Sequence, residues 1–143
     1  MTNKINIEDM PAEFAKFLQK MNFWEVDFFE RRKELVSQGV ENSELNREYT
    51  KKLENILDEY AIKDKSNYGR LIDLGCVRPA TYDPESDKFE VVSKNTDEIV
   101  VQVQQVKGAE TCSRIYLVRK GEDWKIKKKE ILTYDDKWRR ASL

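Results

Sequence analysis

The side chains that could do chemistry are few in kind. The chain has 143 residues, with 26 basic and 27 acidic side chains, two cysteines and no histidine. Without histidine, neither a His–Asp acid–base pair nor a Ser–His or Cys–His nucleophile can be assembled. Cys76 and Cys112 stand apart, with no CxxC spacing. A structural zinc site, which needs four Cys/His-type ligands, is therefore not expected. Unpaired thiols of this kind fit a reducing compartment and small half-buried hydrophobes. The five glycines are scattered singly, so no phosphate-cradling loop is present. Acid–base chemistry on carboxylates and tyrosine stays open, for example with an aspartate base and a tyrosine donor. Tyr116 is its tyrosine candidate, facing one side of a strand with Arg114 and Val118, but no aspartate can be set opposite it from sequence. No enzymatic activity and no cofactor are expected.

The elements that must position these residues follow from periodicity. Phe14, Phe17, Met21, Trp24, Phe28 and Leu35 recur at three- and four-residue steps, which predicts a helix from about Pro11 to Ser37 with Gly39 as its stop. Leu45, Tyr49, Leu53, Ile56, Leu57 and Tyr60 predict a second helix over Ser43–Tyr60 with a charged outer side. Residues 61–76 read as either a short third helix or an irregular link. From residue 77 the period becomes two. "VRPATYD" is expected to be a short edge strand interrupted by Pro79, since proline cannot donate to a ladder. "KFEVVSK", "IVVQVQQVK", "CSRIYLVRK" and "WKIKKKEILTY" follow as strands separated by short turns. Helices first and antiparallel strands after predict one α+β domain over residues 1–143, with the helices packed on one side of a sheet of four to five strands.

In "WKIKKKEIL" strict alternation puts Lys125, Lys127 and Lys129 in water and Trp124, Ile126 and Leu132 inward. Such lysines also discourage edge-to-edge pairing. No aromatic residue is interleaved among them, as stacking on bases would require. With the net charge at −1, no nucleic-acid partner is expected. Charge is still uneven: residues 1–64 hold 10 basic and 14 acidic side chains, and residues 114–143 hold 10 basic and 5 acidic. "MTNKINIEDMPAEF" offers no apolar run for a signal peptide, and no stretch approaches the roughly 20 apolar residues of a membrane span. The expectation is a cytoplasmic protein with no membrane association.

The order of elements, ending in "YLVRKGEDWKIKKKEI", resembles the nuclear transport factor 2-like fold, a cone of helices on a curved sheet. "FLQKMNFWEVDFF" with "YDPESDKFEVV" looks more narrowly like the bacterial immunity proteins of that fold, and the likeness runs from about residue 8 to residue 138. Such proteins are encoded beside polymorphic toxins, including those of the Rhs type, and neutralise the cognate toxin by binding it. The resemblance implies that function, with a small-ligand-binding protein or enzyme using the cone's pocket as the alternative. The group's Trp-Glu pair falls on Trp24 and Glu25, with a structural or pocket-lining role carried over for Trp24. Trp24, Phe28, Tyr116 and Trp124 are the expected pocket residues.

Contacts to a toxin are sought first among turn acids, because electrostatic complementarity speeds association and fixes register. Asp83, Glu85 and Asp87 lie in one turn and Asp97 and Glu98 in another, and turns at neighbouring ends of a sheet could form one patch. The competing reading is that these acids merely form the turns. Trp138, flanked by arginines outside the obvious strands, is an anchor for a partner or a cap folded back on the core. "NFWEVDFF" either serves the core alone or exceeds it and forms a homodimer face.

Overall fold

The computed structural model describes residues 10–143. Helix α1 spans Ala12–Ser37 and α2 spans Ser43–Tyr60. Five strands follow: β1 Lys88–Lys94, β2 Glu98–Gln104, β3 Cys112–Lys120, β4 Asp123–Leu132 and β5 Trp138–Ala141. They form one antiparallel meander in the order β1-β2-β3-β4-β5. The two helices cover one face of this sheet, the α+β arrangement that the sequence predicts.

Pro11 precedes the first turn of α1, where a missing N–H leaves nothing unsatisfied. Gly39 ends the helix at φ 69°, and Val40 N–H reaches back 2.9 Å to the Leu35 carbonyl, closing a Schellman motif as the sequence predicts. Phe14, Phe17, Met21, Trp24 and Phe28 of α1 and Tyr49, Leu53 and Leu57 of α2 are buried against Val101, Ile115, Leu117 and Ile126 of the sheet. Burial of each large side chain contributes roughly 1.5–3 kcal/mol.

Of the two readings left open for residues 61–76, the irregular link holds, with a 3-10 turn at Gly69–Leu71. Two expectations on the strands are corrected. "VRPATYD" is not a strand, because its backbone donors are taken by a side chain of α1, described below. The fifth strand is instead Trp138–Ala141, pairing Leu132 with Trp138 and Lys129 with Ala141.

The lysine strand also departs from alternation. Tyr116 pairs with Lys128 and Leu117 with Ile126, so Lys127 is an extra, bulged residue. Every side chain after it changes face. Lys129 is thus buried on the core side, where its Nζ lies 3.1 Å from the Tyr82 hydroxyl, and Leu132 points outward. Buried Asn67 holds the bulge in place. Its amide donates to the Lys127 carbonyl at 2.9 Å and to the Ile62 carbonyl at 2.8 Å.

Candidate functional site

The Trp24–Glu25 pair ties α1 both to α2 and to residues 70–81. Trp24 Nε1 donates to the Tyr49 carbonyl at 2.8 Å, which locks α1 to α2. Its ring lies 5.5 Å from Phe28, and Phe28 stacks on Tyr49 at 4.7 Å. Trp24 and Phe28 therefore serve as core, packed against other rings. Glu25 is fully buried. Its carboxylate accepts the backbone N–H of Val77 at 2.8 Å and of Thr81 at 2.8 Å, and the Thr81 hydroxyl at 3.3 Å. Arg70 completes the shell at 2.9 Å and lies over the Trp24 ring at 4.9 Å. A buried carboxylate persists only when paired and hydrogen-bonded in this way. Glu25 thus pins residues 70–81, including the cis Arg78–Pro79 bond, against α1. The sequence resemblance marks Glu25 beside Trp24 but assigns it no role; a further clue is a charge lying on the apolar stripe of α1, between Met21 and Phe28.

A second buried polar group lies near the start of β1. Asp87 is buried and its Oδ2 accepts the Asp83 N–H at 3.0 Å, while Oδ1 has no hydrogen-bond partner among the described residues. Burial pushes its carboxyl above the usual aspartate range; the Asp83 N–H and the positive charge of Lys129 oppose that rise. A carboxyl raised on folding stabilises below its unfolded pKa of about 3.9, and that stabilisation is lost as pH rises through the folded value. Asp87→Asn is therefore expected to improve thermal stability relative to wild type more at pH 7 than at pH 4. Calorimetry at the two pH values checks this, and an equal difference at both would contradict it. The thiols of Cys76 and Cys112 are also raised, in each case chiefly by burial, which keeps them as thiols at neutral pH.

The acidic turns do not form one patch. Asp83, Glu85 and Asp87 precede β1, and Asp97 and Glu98 follow it, so roughly 20 Å of strand separates them. Asp87 is inside, and Asp83 Oδ1 accepts the Ser86 N–H at 3.3 Å. In the other turn Asn95 Oδ1 accepts the N–H groups of Asp97 and Glu98 at 3.0 and 2.9 Å. Glu85 and Asp97 are exposed, and Glu98 pairs loosely with Lys127 at 3.8 Å.

The sheet face turned away from the helices is built differently from the core. Register brings Glu90, Gln102, Arg114, Glu130 and Arg140 into one row across all five strands. Tyr116 belongs to this outer face and not to an interior pocket: its hydroxyl donates to Glu130 at 2.6 Å, and Lys128 lies 4.5 Å over its ring. Trp138, half-buried in β5, stacks under Arg114 at 4.2 Å, so it neither hangs free nor folds back on the core. Trp124 sits at the other end, its backbone N–H donating to the Glu13 carboxylate of α1 at 2.8 Å and its ring covered by Arg119 at 5.1 Å. The described cavity, about 490 Å³, lies elsewhere, as a groove on the solvent side of the helix pair. Trp24 and Tyr49 form its floor, and Phe23 and Ile56 line it with Lys20 and Lys52. No helix among the described residues is long and apolar enough to cross a membrane.

This architecture matches known proteins. The family described as NTF2 fold immunity protein matches residues 11–142. The chain is 32% identical over 132 residues to immunity protein RhsIA of Dickeya dadantii (strain 3937), covering 90% of this chain and 91% of the relative. No solved structure matches the chain. With helices, sheet and buried Trp24–Glu25 pair all inside the matched span, the chain belongs to the NTF2 fold immunity protein family.

Proposed function

We propose that the protein binds and neutralises a bacterial toxin domain of the Rhs type, acting by occupying the toxin's surface without catalysis. The observation that carries this reading is the family match across residues 11–142, joined by the likeness to RhsIA over nearly the whole of both chains. Of the expected pocket residues Trp24 alone lines the described groove, while Phe28 packs on Tyr49 and Tyr116 lies on the outer sheet face, which speaks against the alternative of a small-ligand enzyme built on those residues together.

The contact surface that the geometry favours is the outer sheet face centred on Trp138, Arg114 and Tyr116. Tryptophan, tyrosine and arginine are the side chains that most often dominate binding energy, because they bury much area for little lost freedom. Glu85 and Asp97 stand exposed at opposite ends of β1 and suit the rim, where charge steers encounter. Asp83 and Glu98 are partly engaged in their own turns, and buried Asp87 has no place in a contact surface. The site of action is the cytoplasm of the toxin-producing cell.

Co-expression with the toxin domain encoded beside this chain, followed by calorimetry on the purified pair, tests the reading. The expected result is restored growth and tight one-to-one binding. A toxin that kills regardless, with no heat of binding, would sink it.

A further inference from the structure

We infer that the groove face of α1 is a self-association surface, and that its occupant is a second copy of this chain. Phe23 is 72% exposed and Val26 is 48% exposed, on a helix whose other outward positions are mostly charged or polar. Clustered exposed apolar side chains beside a groove mark an interaction site more often than isolated ones do. Phe23 both lines the groove and projects into solvent beside it.

Charge order along α1 identifies the partner. The outward stripe reads Lys16, Lys20, Phe23, Asp27, Glu30, basic before the phenylalanine and acidic after it. Two copies of α1 crossing antiparallel at Phe23 set each residue before the crossing against one equally far beyond it. Lys16 then faces Glu30 of the second copy, and Lys20 comes beside Asp27, on both sides of the twofold axis. A shallow crossing of about 20° keeps side chains two turns from the crossing, about 10 Å away, within reach of each other. A closed twofold contact must be complementary to itself, and this stripe has that property. Within one chain its charges are only loosely held: Lys20 to Glu59 at 3.1 Å and Glu30 to Arg78 at 3.1 Å, both exposed pairs. Asp27 accepts the Tyr49 hydroxyl. Among the described residues Lys16 is in no ion pair.

The stripe from Lys16 to Glu30 is about 21 Å long. One helix face of that length buries less than the ~800 Å² per partner of a standard interface. The dimer is accordingly weak, dissociating in the micromolar range. This inference is tested on the isolated protein and does not rest on the toxin reading.

The experiment is sedimentation equilibrium on the full chain from about 5 to 500 µM, a range that brackets such a weak interface. Wild type should pass from monomer to dimer. Phe23→Glu should remain monomeric while keeping the wild-type circular dichroism, since the side chain is mostly in water. Lys16→Glu and Glu30→Lys should each weaken self-association about ten-fold or more by placing like charges opposite each other. Mixing those two variants should restore a dimer, because every cross-copy pair is again of opposite sign. A wild type that stays monomeric at the highest concentration overturns the inference. So does a dimer indifferent to Phe23→Glu, or a failure of the mixed variants to pair better than either alone.

Discussion

Glu25→Ala should lower the unfolding free energy by about 3–5 kcal/mol, the usual result of removing one member of a buried, hydrogen-bonded ion pair. Four groups lose their acceptor at once, the Thr81 hydroxyl among them. The N–H groups of Val77 and Thr81 are left without a partner, and the Arg70 guanidinium, only 11% exposed, loses its counter-charge. An uncompensated buried charge costs more than the pair ever contributed, so the loss exceeds that of an ordinary hydrogen bond. Urea unfolding should show a lower midpoint with an unchanged slope, since the surface exposed on unfolding stays nearly the same. Amide exchange localises the effect: Val77 and Thr81 should lose protection well before the sheet does. A change below about 1 kcal/mol, within the range of a surface substitution, would mean that residues 70–81 are held by something other than Glu25.

Trp138→Ala should weaken toxin binding by about 2 kcal/mol or more, raising Kd roughly 30-fold, if the outer sheet face is the contact. The ring supplies a broad apolar surface held flat beneath Arg114, so little freedom remains to be lost when a partner covers it. Trp138 is half-buried on an edge strand, and the isolated protein should lose only about 1 kcal/mol of stability, as most substitutions do. The two readouts separate the roles. A large loss of affinity with a small loss of stability marks an anchor. Unchanged affinity would move the contact away from this face while leaving the immunity assignment standing, because that assignment rests on the family match.

Charge matters differently on this protein than composition suggests. Lysines of β4 that look equivalent in sequence have four distinct fates. Lys127 is exposed at the bulge, Lys128 lies over Tyr116, and Lys129 is buried against Tyr82. Lys125 reaches the Glu59 carbonyl at the end of α2. A basic run in a strand is thus not a uniform solvated face here. Part of it is structural.

The amino-acid sequence by itself determined both helices and four of the five strands. These elements are written in local terms: apolar residues at helical spacing, apolar residues at alternate positions, and Gly39 where a helix needs a left-handed residue. The resemblance carried by the same stretches was enough to indicate the fold and the family. What only the tertiary structure decided depends on partners distant along the chain. Whether "VRPATYD" becomes a strand turns on Glu25, more than fifty residues earlier, which captures its donors before a sheet can. Trp138–Ala141 becomes the fifth strand because β4 leaves an edge open beyond the segment that Asn67 occupies. The direction of Lys129 depends on one bulged residue, and alternation read from sequence has no means of counting an extra residue in a strand. The two acidic turns are a different case: the predicted strand "KFEVVSK" already separates them in the sequence, and the structure places them at opposite ends of β1. Spacing along the chain records which face a residue takes within one element; it does not record which elements meet.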